Sequence, residues 1–146
     1  MSDIEVIRAS EEWQRAGAYS VRVEGMNRAH GISLREEFDE HDGTDARYIV
    51  LLDGLYPVAT CRFYEVGEGE VSIGRVVVLP EYRGKGLGRR AVTEAELWIR
   101  ELGYKRVLID SRVTAVGFYE KLGYSPVSGE VIVCGPFECL PMQKEL

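Results

Sequence analysis

The sequence predicts an α/β (α+β) fold, with a mixed but mostly antiparallel central sheet of about six to seven strands flanked by about four helices. Three observations predict it. The longest β-branched run, residues 71–79, passes through a glycine-rich segment into an amphipathic helical stripe. Two glycine-bearing turns, Asp53-Gly54 and Gly67-Glu68-Gly69, separate strand-like segments ahead of that run, as hairpin turns do. A second helical stripe and further strand-like segments follow it, which places helices on the faces of one sheet.

Ile4–Arg8 mixes apolar and polar residues as a short strand does, and Ser10 followed by Glu11 and Glu12 predicts an N-cap and a helix running toward Arg22. Residues 25–44 lose the period, carry many charges and read as a loop with a short helical turn. Residues 48–52 and 57–65 are strands on either side of the first turn. Residues 71–79 suit a central strand buried on both faces, stopped by Pro80. Leu87, Ala91, Ala95, Trp98 and Leu102 recur at spacings of three and four and mark a helix closed by Gly103. Residues 106–110 are a short strand. Ala115, Phe118, Tyr119 and Leu122 form a second helical stripe closed by Gly123, and strands follow near residues 124–127, 131–134 and 139–145.

A chain of 146 residues fits one domain over residues 1–146 and buries enough surface to fold without disulfides or metals. Apolar residues make up 45% and charged residues 29%, which excludes extensive disorder. The longest uncharged apolar stretches, 48–52 and 76–80, fall far short of the ~20 residues of a membrane helix, and the acidic N-terminus is no signal peptide. Cys61, Cys134 and Cys139 form no CxxC pair and have no histidines at ligand spacing, so neither a disulfide framework nor a metal site is expected, and a cytoplasmic setting is. The net charge of -6 argues against nucleic acid. Either a monomer or a homodimer is compatible with the sequence.

Residues 83–90, Arg-Gly-Lys-Gly-Leu-Gly-Arg-Arg, are a basic, glycine-rich island in this acidic chain. Lying between a strand and a helix, the glycines let backbone N–H groups turn toward one point where the helix dipole already favours anions. A pyrophosphate suits that place. No Ser or Thr follows Lys85, so the segment is not a P-loop.

Arg83, Gly86 and Gly88 meet the pattern [QR]-x-x-G-x-[GA], and Phe118-Tyr119-Glu120-Lys121-Leu122-Gly123-Tyr124 is similar to FYxKxGF. With Val76-Val77-Val78-Leu79-Pro80-Glu81-Tyr82-Arg83 leading into the loop, residues 71–127 resemble the GNAT superfamily of acetyl-CoA-dependent N-acetyltransferases, and residues 21–42 are similar, more loosely, to its small bacterial members. The resemblance implies a sheet split beside the fourth strand. Acetyl-CoA would be the co-substrate, with its pantetheine arm on the backbone of Val76, Val77 and Val78 and its phosphates at Arg83, Gly84, Lys85, Gly86, Leu87, Gly88 and Arg89.

Acetyl transfer to an amine needs a neutral nitrogen, a stabilised oxyanion and a proton for the departing thiolate. The resemblance assigns the proton to Tyr119. It supplies no base: the position that often carries Glu is Gly74, just before Arg75, and the one that often carries His, three residues ahead of Met142, is Cys139. Glu70, Glu138, His41 and a water chain remain, and Cys139 could instead accept the acyl group. The acidic run Glu36-Glu37-Phe38-Asp39-Glu40-His41-Asp42 could draw a cationic amine, with Glu37 beside the acceptor, while Arg22 or Arg112 could bind a carboxylate on it. The acceptor is then a small molecule or a peptide. The rival reading is a non-catalytic acetyl-CoA sensor or interaction module, favoured by the absent base and opposed by the retained phenol.

Overall fold

A computed structural model describes residues 3–146. Eight strands pair into one sheet: β1 Ile4–Arg8, β2 Arg47–Asp53, β3 Tyr56–Gly67, β4 Glu70–Val78, β5 Arg106–Arg112, β6 Ser125–Pro126, β7 Ile132–Cys134 and β8 Phe137–Glu145. They run in the order β1-β2-β3-β4-β5-β8-β6, with β7 also on β8, and the β4–β5 pair is parallel while its neighbours are antiparallel. The helices are α1 Glu12–Arg22, α2 Arg28–His30, α3 Leu34–Glu37, α4 Leu87–Glu101 and α5 Val116–Lys121. The mixed, mostly antiparallel α/β fold is as expected, with eight strands against the expected six to seven, each at a segment that the sequence marks.

Alternation along the strands sorts the core into two layers. Ile49 and Leu51 of β2 join Ala91, Val92, Ala95 and Ile99 of α4, together with Val107 and Ile109 of β5. Tyr48, Val50 and Leu52 of the same strand turn the other way and meet Ala18 of α1. The predicted cap at Ser10 moves by one residue: Glu11 is the N-cap, and the Gln14 side chain accepts from both the Ser10 and Glu11 amides at 2.7 and 2.9 Å.

The sheet opens where the site lies. β4 and β5 pair only over Glu70, Val71 and Ser72 with Arg106, Val107 and Leu108. On the other side of β4, Arg62 pairs with Gly74 and Thr60 with Val77, so Arg75 and Val76 together oppose Cys61 alone. This is a β-bulge, and Arg75 takes it up with a left-handed φ of 51°. The expectation of a strand buried on both faces therefore holds only for part of β4. Val71, Ile73 and Val77 are buried, whereas Gly74, Arg75, Val76 and Val78 are half-exposed because the bulge steers them along an open gap.

The stretch from residue 25, expected as a loop, begins as helix. A π-helical turn, Val23–Asn27, continues α1 into α2, and a left-handed Gly31 then ends it. The apolar period was invisible there because Gly25 packs without a side chain. A Cβ on it would lie 2.6 Å from Val77 Cγ1, closer than packed carbons approach. Gly25→Ala is expected to lower stability by about 1–3 kcal/mol, as overpacking does, read as a shifted urea midpoint. An unchanged midpoint would mean the π turn is free to move off β4.

Candidate active site

The glycine-rich segment closes the C-terminal end of β4. Gly84 and Gly86 have φ of 76° and 78°, which residues with side chains adopt only under strain, and a Cβ on either would meet nothing within 4 Å. The space above them is open. Gly86 is the N-cap of α4, and the first bond of that helix runs from the Arg90 amide to the Gly86 carbonyl. The amides of Leu87, Gly88 and Arg89 are thus the unpaired first-turn donors of a fifteen-residue helix, and they sit where its dipole is positive.

A cavity of about 730 Å³ runs from this loop into the gap beside β4. Val76, Val77, Val78, Arg83, Gly84, Gly86, Leu87, Gly88 and Arg89 line it, and so do Arg112 and Tyr119. Lys85 lies aside, with Nζ 5.5 Å from the Tyr82 ring centroid. Arg83 turns back toward the chain, its Nε donating to the Val78 carbonyl at 3.1 Å. Phe118 packs beside Gly88, where an added Cβ would lie 3.4 Å from the tip of that ring.

Tyr119 is buried at the inner wall, edge-on to Phe118 and Tyr124. Its hydroxyl has no hydrogen-bond partner among the described residues. Burial, followed by the nearby Cys61 and Cys139 thiols, pushes its pKa well above the ordinary 10, so the phenol stays protonated at neutral pH. Tyr124 is pinned by Glu96, which accepts its O–H at 2.6 Å and pairs with Lys144 at 2.9 Å. That buried contact fixes the end of the α5 unit and with it the Tyr119 ring.

The acidic run folds under the sheet instead of lining the cavity. Arg22 is fully buried, and its guanidinium bonds Glu37 at 2.9 Å and Asp42 at 2.9 and 3.1 Å. Arg62 makes a two-pronged bond to Asp39 at 2.8 and 2.9 Å, and Arg75 Nε lies 2.7 Å from the Glu37 carboxylate. Burial alone would raise the Asp42 carboxyl, but hydrogen bonds from Arg22 and Tyr48 and the Arg22 charge outweigh it and hold it far below the ordinary 3.8. The same balance, with Arg62 as the partner, lowers Asp39. Glu37, Asp39 and Asp42 are therefore internal counter-ions of three arginines, and Arg22 and Glu37 stand outside the cavity lining.

The other residues singled out from the sequence lie elsewhere. Glu70 pairs with Arg106 at 2.9 Å, His41 stacks on Tyr64 and meets Asp45, and Glu138 is exposed. Cys139 is buried opposite Arg112 in the β5–β8 register; burial and then the Cys134 thiol push its pKa up to about 12. Met26 and His30 complete the cavity wall from the π turn and α2. No sequence signal marks them, because a π turn breaks the spacing that marks a helix face.

Residues 7–124 match the model of the acetyltransferase (GNAT) family. The chain belongs to the GNAT acetyltransferase family. It is an enzyme of that class. A Bacillus subtilis protein named as an acetyltransferase is 32% identical over 120 residues, covering 81% of each chain. The crystal structure of a Lactobacillus plantarum protein named as an N-acetyltransferase superposes with a TM-score of 0.91 at 32% identity over 99% of both chains. The PaiA N-acetyltransferase of Thermoplasma acidophilum, crystallised with coenzyme A, shares the fold with a TM-score of 0.71 at 17% identity over 99% of both. In this GNAT chain the open edge of β4, the two left-handed glycines and the free first turn of α4 fit a long ligand with an amide arm and a pyrophosphate.

Proposed function

We propose that residues 1–146 act as one N-acetyltransferase domain that moves acetyl from acetyl-CoA to the amine of a small molecule or peptide, with Tyr119 as general acid. One observation carries the reading: a single cavity joins the anion-binding first turn of α4, the unpaired edge of β4 and the buried phenol of Tyr119. Val76, Val77 and Val78 would hold the pantetheine amides through their main chain. Leu87, Gly88 and Arg89 would meet the pyrophosphate with their amides, with Arg83, Lys85 and Arg89 adding charge. The Tyr119 hydroxyl is protonated and unengaged, so it is free to give its proton to the departing sulfur. The three thiols, Cys61, Cys134 and Cys139, are free, which suits the reducing cytoplasm. A homodimer would find its surface at β7, where Ile132 and Val133 are 38% and 78% exposed.

The test is release of free thiol from acetyl-CoA with a panel of amines, amino acids and peptides. Turnover should rise with pH as the amine loses its proton, since neither Gly74 nor Cys139 supplies a strong base. Coenzyme binding without thiol release for any acceptor would leave a non-catalytic binding module. Cys139→Ser should keep turnover within about threefold, because a buried thiol with pKa near 12 is not an available nucleophile. Loss of all turnover in a folded, coenzyme-binding Cys139→Ser protein would favour a covalent route.

A further inference from the structure

The cavity is lined from both faces of the sheet. Tyr119, Phe118 and Leu122 line it from the α4–α5 face, whereas Met26 and His30 line it from the α1–α2 face. Arg112 belongs to the second group. Val107 and Ile109 of β5 pack in the α4 core, so alternation sends Leu108, Asp110 and Arg112 to the opposite face. Across the gap, the last β4–β5 pair is Ser72 with Leu108, and Val76 and Arg112 each lie four residues beyond it. Arg112 therefore stands level with the bulge of β4, well short of the glycine loop that follows Leu79. Its charge is placed for the acyl end of the cavity and not for the pyrophosphate.

The guanidinium of Arg112 is also uncommitted. Among the described residues no carboxylate lies within salt-bridge distance of it, whereas Arg22, Arg62 and Arg75 on the same side of the molecule are all ion-paired. It lies instead over the face of Phe137 at 3.9 Å, and His30 meets that ring edge-on at 5.0 Å. Phe137 thus braces two potential anion donors on the same side of the cavity. The charges that could have drawn a cationic acceptor are spent, since Glu37, Asp39 and Asp42 already neutralise three arginines.

We propose that the acceptor is an amine that itself carries a carboxylate, which enters from the α1–α2 face and is bound by Arg112 with His30 beside it. This rests on the transferase reading above. An arginine resting over an aromatic face, with no carboxylate of its own, keeps its N–H groups for a ligand, and its planar fork suits two-pronged recognition of a carboxylate.

The experiment compares each of several amino acids with its amide and its decarboxylated amine, in wild type, Arg112→Gln and Arg112→Lys, with coenzyme affinity followed by calorimetry. Wild type should favour the acid in kcat/KM even though the amide offers more neutral amine at pH 7. Arg112→Gln should raise KM for the acid by about 10- to 100-fold, the worth of a hydrogen bond to a charged group, and abolish the preference. Arg112→Lys should recover part of it, and coenzyme affinity should not change. A wild type that uses all three members equally, or an Arg112→Gln protein that keeps the preference, overturns the assignment while leaving the transferase intact. Absence of thiol release with every member, while another amine or peptide of the wider panel is acetylated, overturns the acceptor assignment alone; absence with the whole panel overturns the transferase reading as well.

Discussion

Gly86→Asp is expected to remove detectable binding of CoA and acetyl-CoA while leaving a folded protein. The cost to the fold is confined to the left-handed φ of Gly86, since a Cβ there meets nothing within 4 Å. Aspartate is also among the side chains that best accept a left-handed φ and an N-cap position, and Gly86 has both. The damage falls on the ligand. A carboxylate would stand at the first turn of α4, where the Leu87, Gly88 and Arg89 amides converge. Two unit negative charges about 4 Å apart at an effective dielectric of about 20 repel by roughly 4 kcal/mol, which is close to a thousandfold in affinity. Gly86→Asn carries the same shape without the charge and should lose far less. Calorimetry decides the matter: a Gly86→Asp protein with a native circular dichroism spectrum and unaltered coenzyme affinity would take the loop out of the site.

Much of this site could be read before any coordinates, and the reason is local. The loop needs glycines because Gly84 and Gly86 have left-handed backbones, and such a demand is written directly in residue type. Tyr119 sits in a short helical motif whose spacing survives in the sequence. The helix of α4 was legible because Leu87, Ala91 and Ala95 keep their period against the core. What escaped was set by contacts distant in sequence. Nothing local marks Arg22, Arg62 and Arg75 as the partners of Glu37, Asp39 and Asp42, because each pairing is made between separate elements; a charged run looks the same whether it faces water or buried guanidinium groups. Met26 and His30 escaped for another reason. The π turn inserts a residue into the helical period, so the face they share with the cavity has no regular signature. Phe137 reaches His30 and Arg112 only because the β7–β8 hairpin folds back beside β5.

Tyr119→Phe is expected to lower kcat by about 10² to 10⁴, the usual contribution of a positioned general acid, with coenzyme affinity nearly unaltered. Phenylalanine keeps the ring, and with it the edge contacts to Phe118 and Tyr124, so the wall of the cavity retains its shape. Only the hydroxyl goes, and none of the described residues is hydrogen-bonded to it. Burial raises the pKa of this phenol, and the same dry wall raises that of a thiol placed against it, so the donor and the departing sulfur remain near balance. The sign of the shift also fixes the pH profile. Because the folded value lies above 10, Tyr119 holds its proton throughout the range in which an amine acceptor loses its own, and wild-type activity should keep rising past pH 9 with no descending limb from the phenol. If Tyr119 served packing alone, the variant would show a small change in stability and an unchanged rate per folded molecule. Single-turnover measurement separates these outcomes, because a slow acyl-transfer step seen with coenzyme already bound cannot come from weakened binding. Full single-turnover activity in Tyr119→Phe would return the residue to the core, and the proton for the sulfur would then have to come from water in the cavity.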